Sequence, residues 1–165
     1  MTIDRPQLLA HLEATPSVLA GLTGDLTARE LDFRPGPREW SIREILAHLV
    51  DDEMYVMRTR LERMIKEEVP VLAPHDEQRW YATRNMSRDD LAQLLDDFAL
   101  QRAASLGILR MLREAEWQRE GIQPEYGRFT AEEWLGHWVA HDRVHARQIE
   151  ANIKAWAATS SMTDG

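Results

Sequence analysis

The sequence contains no cysteine, which excludes both a disulfide framework and thiolate ligands for a metal ion. A reactive thiol could therefore come only from a substrate. Because the chain has no disulfides, we also expect a cytoplasmic protein. The sequence also lacks an apolar run near the ~20 residues that span a bilayer, and its start, MTIDRPQLLAHLEATPSV, lacks the basic and apolar regions of a secretory signal. We therefore expect a soluble protein that has no membrane partner.

Basic residues are also fewer than acidic residues. The 165 residues carry 28 acidic and 20 basic side chains, a formal net charge of −8, and the lysines and arginines are scattered along the chain. This balance argues against binding to a phosphate backbone, so we expect a small-molecule substrate and no nucleic acid. A chain of this length with 44% hydrophobic residues can form one domain with its own core, expected over residues 1–157.

Helical periodicity dominates what is present, whereas the alternation typical of strands and the Asn-Gly turn of hairpins are lacking. The sequence therefore predicts an all-α fold, a four-helix bundle with long connections. The helices are expected at about 7–22, 42–68, 88–115 and 131–157, with a short helical piece at 27–31. The long connections allow a crossover topology, and the sequence leaves the spatial order of the helices open.

Local signals mark where these helices begin and end. Ser41 with Glu44, and Thr130 with Glu133, match the capping box, in which a hydroxyl and a carboxylate satisfy free backbone amides at a helix start. Ser87 is a suitable N-cap for the third helix. A loop is indicated between the third and fourth helices by Gly121, Pro124 and Gly127, and residues 158–165 are expected to form a flexible C-terminal tail.

Two histidines one turn apart lie where the last helix would otherwise place core residues. The positions sharing this face are Trp134, Trp138, His141, His145, Ile149, Asn152 and Trp156. Burying an unpartnered polar ring costs roughly 1–3 kcal/mol, so His141 and His145 need hydrogen-bond partners or a metal ion. Side chains four residues apart lie about 6 Å apart along a helix, close enough for both rings to reach one ion.

A third histidine, His48, lies on a largely apolar face of the second helix and could join this pair. Three neutral imidazoles leave at least one coordination position of a divalent ion open, as catalytic sites require. Nitrogen ligands suit zinc, nickel, iron or cobalt, with zinc and nickel placed first. Asp52, one turn after His48, could orient a ligand, become a fourth ligand or act as a base, or it could be a solvated carboxylate.

The segments WSIREILAHLVDDE and GHWVAHDRVHARQI resemble the DinB-like family of four-helix-bundle metalloenzymes. Members of that family hold a divalent metal with one histidine from the second helix and two from the last. The resemblance therefore implies that His48, His141 and His145 are the metal ligands. It also implies that the protein can form a homodimer.

The resemblance further implies a function. Characterised relatives use the metal to activate a low-molecular-weight thiol for transfer or isomerisation, so a thiol-dependent S-transferase or isomerase is the first expectation, with the thiol as cosubstrate. A metal-dependent hydrolase is the second, with Asp52 assisting. A noncatalytic bundle that binds a metal or ligand is the third, and in it the histidines are satisfied core residues. His137, one turn before His141, is expected to be structural or exposed.

Overall fold

The computed structural model describes residues 4–84 and 90–163, with side chains described up to residue 159. In chain order the helices are α1 (Arg5–Thr23), α2 (Ala28–Asp32), α3 (Ile42–Asp52), α4 (Arg58–Lys66), α5 (Glu77–Thr83), α6 (Leu91–Met111), α7 (Glu114–Trp117) and α8 (Ala131–Thr163). A π-helical segment, Glu53–Met57, joins α3 to α4 into one continuous rod. The predicted four-helix bundle is confirmed. No helix within the described ranges has the length and apolar character needed to cross a membrane.

The predicted caps position two of the long helices. Ser41 accepts a hydrogen bond from the backbone N–H of Glu44, whose carboxylate accepts from the N–H of Ser41. Thr130 and Glu133 make the same reciprocal pair at the start of α8. Ser87 lies outside the described residues, and Asp90 caps α6 instead. Satisfying these amides fixes where each helix begins.

The C-terminal end differs from the expectation. The tail was predicted from residue 158, but α8 continues to Thr163. No proline or glycine occurs between Trp156 and Gly165 to stop the helix. The hydroxyl of Thr159 donates to the carbonyl of Trp156, so it is satisfied within the helix. The last helix is therefore about a turn and a half longer than its sequence signals indicated.

A short β-hairpin lies in the segment that was predicted to be only a loop. Strands β1 (Glu120–Gln123) and β2 (Gly127–Thr130) pair antiparallel. Gly127 supplies the positive φ of 81° that its turn requires. Each strand has four residues, too few to show the alternation by which strands are recognised in sequence. The hairpin also binds the chain after α4, because the N–H of Leu72 donates to the carbonyl of Ile122 at 2.7 Å.

The long helices do not follow one another around the bundle. Helix α1 packs against α6 and α8, and α3 packs against the same two helices. The first two long helices in sequence are therefore at opposite corners. This is the crossover arrangement that the long connections allowed.

Two apolar clusters fill the bundle, with polar side chains between them along each long helix. One cluster contains Leu12, Met57 and Trp138, and the other contains Leu19 and Phe98. Between these levels lie four polar residues of the buried set, one from each long helix: Thr15, Glu53, Arg102 and Asp142. The candidate site lies beside this polar layer.

Arg102 of α6 ties this layer together. Its guanidinium donates to both carboxylate oxygens of Glu53 and to both of Asp142, at 2.7 to 3.0 Å, and to the carbonyl of Leu12. The Trp138 indole N–H donates to Glu53 at 2.9 Å. Although burial opposes the charge, the two carboxylates raise the pKa of Arg102 above its usual value. All four long helices are joined through this one side chain.

Candidate metal centre

The three histidines selected from their spacing meet inside the bundle. The Nε2 atom of His141 lies 3.2 Å from Nε2 of His48 and 3.2 Å from Nε2 of His145. His48 is fully buried, His145 is 6% exposed, and the side chain of His141 is 18% exposed. One ring nitrogen from each of the three lies within 4.8 Å of one from each of the others. Two helices therefore bring together the three rings that the sequence singled out, and partial exposure leaves one of them accessible.

This arrangement fits a divalent ion. Nitrogens about 2.0–2.1 Å from a tetrahedral ion lie about 3.3–3.4 Å apart, close to the observed separations. The Nδ1 of His145 donates to Oε1 of Gln148 at 2.7 Å, which leaves the lone pair of its Nε2 free. Burial lowers the pKa of His48 and of His145, so both rings are neutral near pH 7 and available as ligands.

Asp52 lies against this cluster and is not a solvated carboxylate. It is 4% exposed, and its Oδ2 lies 3.5 Å from Nε2 of His141. Its Oδ1 lies 3.6 Å from Nδ1 of His48. Burial alone would raise the pKa of Asp52, but contacts with His141, His75 and His48 hold it well below its usual value. The carboxylate is therefore ionised. One of its oxygens faces Nε2 of His141, and the other faces Nδ1 of His48.

His75 is the residue of this site that sequence reasoning missed. Its Nε2 lies 3.1 Å from Oδ1 of Asp52, and that contact raises the pKa of His75. His75 belongs to no helix, so helical periodicity could not single it out. The proline before it indicates only the end of a helix. The backbone before it is held by the hairpin and by Arg60, which donates to the carbonyl of Ala73 at 2.8 Å. These contacts between segments far apart in the chain place His75 beside Asp52.

Aromatic rings cover one side of the cluster. Trp40 packs edge-on against His48 with ring centroids 4.9 Å apart, and Trp80 does so at 5.4 Å. The Trp80 indole N–H donates to Asp51 at 2.8 Å, which fixes that ring. These contacts restrict the orientation of His48 and separate it from solvent. Trp40 also packs against the apolar cluster that contains Leu19 and Phe98, and it lines a cavity.

Two cavities among the described residues reach the histidines. A cavity of about 470 Å³ borders His145 and is lined by Trp40, Gln148 and Asn152 among others. A smaller one of about 140 Å³ borders His141, Asp52 and His75. His145 and His141 are therefore each bordered by a cavity, whereas His48 lines neither of the two.

Other side chains noted in the sequence lie outside the cluster. His137 lines the smaller cavity, but its ring packs against Tyr126 and Phe129 and does not join the three imidazoles. Asp142, next to His141 in the sequence, is buried and pairs with Arg102, a residue 40 positions away that no local pattern connects to it.

We expect acid to destabilise the metal-free protein through its buried imidazoles. Burial lowers the pKa of His48 to about 3 and that of His145 to about 4, against about 6.5 for a histidine in the unfolded chain. The unfolded chain therefore takes up protons first. The stability contributed by each neutral ring is complete above about pH 6.5 and is lost as the pH falls toward the folded value.

Urea denaturation of chelator-treated protein between pH 7 and pH 4.5 measures this effect. Compared with the unsubstituted chain, His145→Gln is expected to make the pH dependence of the unfolding free energy shallower by up to about 1.4 kcal/mol per pH unit. Val144→Gln, at an exposed and non-titratable position of the same helix, serves as the control and is expected to leave the slope unchanged. Equal slopes for the unsubstituted chain and His145→Gln would contradict the prediction.

Comparison with known proteins connects this geometry to a family. The sequence profile of the DinB superfamily matches residues 11–149. A protein of Bacillus licheniformis is 28% identical over 151 residues, covering 88% of this chain and 83% of its own. One of Oceanobacillus iheyensis is 28% identical, covering 87% and 83%, and YfiT of Bacillus subtilis is 26% identical, covering 84% and 78%. The names of all three assign them provisionally to the metal-dependent hydrolases.

A solved structure supports the fold. The structure of YfiT from Bacillus subtilis, described as having an unusual four-helix bundle topology, superposes with a TM-score of 0.85 at 23% identity, covering 94% of this chain and 91% of that one. At this level of identity the likeness concerns the fold. The profile match spans most of the chain and includes His48, His141 and His145. This chain therefore belongs to the DinB superfamily.

Proposed function

We propose that this chain is an enzyme that uses a divalent metal ion, zinc or nickel first among the candidates, to activate a nucleophile for attack on a small molecule. The observation that carries the proposal is the convergence of three imidazole Nε2 atoms, from His48, His141 and His145, beside an ionised buried carboxylate. An ion held there would keep a coordination position open, lower the pKa of a water or thiol and polarise the electrophile.

The chain's own residues have separate tasks in this proposal. Gln148 fixes the orientation of His145, and Asp52 faces Nδ1 of His48. The other oxygen of Asp52 lies 3.5 Å from Nε2 of His141, and it would accept the proton of a nucleophile activated by an ion that the three histidines hold. Because the pKa of Asp52 is low, its carboxylate would pass that proton on. A neutral His75, with Nε2 3.1 Å from Oδ1 of Asp52 at the edge of the smaller cavity, is positioned to receive it.

Water is the nucleophile that we place first. Its support comes from the curated relatives, which carry the name of hydrolases, and from Asp52, which occupies the position of a general base. Thiol-dependent S-transfer or isomerisation is the second candidate. It is favoured by the two cavities that reach the histidines, since a two-substrate reaction needs space for a thiol and for an electrophile. The chain's lack of cysteine is compatible with a sulfur nucleophile that arrives on a cosubstrate.

Substitution of Asp52 tests the proposed base. In metal-loaded protein screened against small esters, amides and lactones, Asp52→Asn is expected to lower kcat about 10²- to 10⁴-fold, the range of general base catalysis. Metal content measured at saturating ion is expected to stay near that of the unsubstituted chain. Glu62→Gln is the control, because Glu62 is on the same helical rod and pairs with Lys66 on the exposed face. Unchanged kcat in Asp52→Asn would remove Asp52 from the mechanism.

Addition of a thiol separates the candidates. Turnover in the absence of any thiol supports hydrolysis. Turnover of an electrophile panel that requires glutathione, mycothiol or bacillithiol supports S-transfer or isomerisation. Protein that binds metal but turns over neither panel would leave a noncatalytic metal-binding bundle.

A further inference from the structure

A buried arginine beside the candidate metal centre has no ion-pair partner among the described residues. Arg60, on α4, is 9% exposed, and no carboxylate oxygen of the described ranges lies within the 4.0 Å ion-pair distance of its guanidinium. Its Nη2 donates to the carbonyl of Ala73, and its guanidinium lies 5.3 Å from the centroid of the Trp134 ring. A guanidinium carries five N–H donors, and among the described residues only the carbonyl of Ala73 accepts a hydrogen bond from Arg60. Burying a cation without an anion costs free energy, and an anionic ligand bound to Arg60 would offset that cost.

The free face of Arg60 borders the smaller cavity. That cavity is also lined by His141, Asp52 and His75, so Arg60 shares it with a candidate ligand and the proposed base. Two contacts hold the guanidinium in place before anything binds: the bond to Ala73 and the packing on Trp134. A preorganised planar fork of donors is suited to a carboxylate, which it binds through two parallel hydrogen bonds.

Three carboxylates line the cavity, and none lies within the 4.0 Å ion-pair distance of Arg60: Asp52, Glu77 and Glu125. Asp52 faces His48, His75 and His141. Glu125 accepts a hydrogen bond from the amide of Gln123 at 3.2 Å. Their negative charge still affects which ligand can enter the cavity, because these acids repel a doubly charged group more strongly than a singly charged one. A singly charged group is therefore favoured over a phosphate dianion.

We propose that Arg60 binds the carboxylate of a small anionic substrate and holds its reacting bond at His141 and Asp52. This inference rests on the proposed function for the position of the reaction. The cavity volume of about 140 Å³ is close to the ~150 Å³ of an engineered cavity that holds benzene. The part of the substrate that enters is therefore a carboxylate with a few carbon atoms.

The test uses the full chain without metal, so that the anion has no ion to bind. The probe is trifluoroacetate, followed by ¹⁹F NMR titration, and trifluoroacetamide is its neutral counterpart of nearly the same shape. We expect saturable binding of trifluoroacetate and binding of the amide at least tenfold weaker. Because hydrogen bonds to a charged group are worth more than neutral ones, Arg60→Gln is expected to weaken trifluoroacetate binding about 10- to 100-fold. Arg60→Lys keeps the charge without the fork and is expected to be intermediate.

Lys66→Gln is the matched control. It removes one positive charge from the same helix at an exposed position, where Lys66 pairs with Glu62, and is expected to leave binding unchanged. Circular dichroism checks that each variant folds. If Arg60→Gln does not fold, Arg60→Lys and the amide comparison on the unsubstituted chain still decide.

Several results would overturn the inference: no binding of trifluoroacetate, equal binding by the unsubstituted chain and Arg60→Gln, equal binding of the amide, or tighter binding of inorganic phosphate. Metal content is measured separately. A chain that binds trifluoroacetate through Arg60 but no divalent ion supports the anion site and contradicts the proposed function. A chain that binds the ion, with trifluoroacetate binding indifferent to Arg60, contradicts only the anion site.

Discussion

Replacing His145 by alanine is expected to remove the divalent ion from the protein. His145 supplies one of three ring nitrogens that lie within 4.8 Å of one another, and two nitrogens from different helices would hold an ion far less tightly. Residues that only orient a metal ligand typically contribute 10- to 100-fold to affinity, so loss of a ligand itself should cost more than about 100-fold. Elemental analysis after dialysis is expected to give one ion per chain before substitution and almost none in His145→Ala. His48→Ala should behave alike.

His137→Ala provides the control for this experiment. It removes another imidazole from α8, one turn before His141, whose ring packs against Tyr126 and Phe129. We expect the ion content of this variant to match that of the unsubstituted chain. Stoichiometric metal in both His48→Ala and His145→Ala would overturn the three-histidine centre, and with it the proposed enzyme.

Substitution of Arg102 is expected to give the largest loss of stability. Its guanidinium is 1% exposed and binds both Glu53 and Asp142, so Arg102→Met leaves two carboxylates buried without a counter-ion. Removing one partner of a buried ion pair costs roughly 3–5 kcal/mol, and we expect a loss in that range in urea denaturation at pH 7. The carbonyl of Leu12 and the indole of Trp138 belong to the same network, so the loss affects all four long helices.

Two comparisons show whether the buried charges cause this loss. Arg110→Met changes an exposed arginine of the same helix that pairs with Glu13, and is expected to cost under about 1 kcal/mol. Adding Glu53→Gln and Asp142→Asn to Arg102→Met removes the uncompensated charges and is expected to recover part of the loss. A cost under about 1 kcal/mol for Arg102→Met would show that solvent reaches these carboxylates.

Much of the candidate site could be predicted because it depends on local spacing. His141 and His145 are four residues apart, and this spacing puts both rings on one face of any helix that contains them. The apolar residues around them turn that face inward, and the caps at Ser41 and Thr130 fix where the two ligand-bearing helices begin. Each signal acts within one or two turns of chain, so the sequence contains it in full.

The sequence alone thus determined the four long helices, the starting points of α3 and α8 and the inward direction of the three histidines, because these follow from interactions between residues close in the chain. Only the tertiary structure decided that α1 and α3 occupy opposite corners, that Asp142 pairs with Arg102, and that His75 meets Asp52. It also placed Arg60 beside the centre, with no ion-pair partner among the described residues. These features depend on how separate elements pack. Contacts between residues far apart in the chain leave no periodic trace in a single sequence.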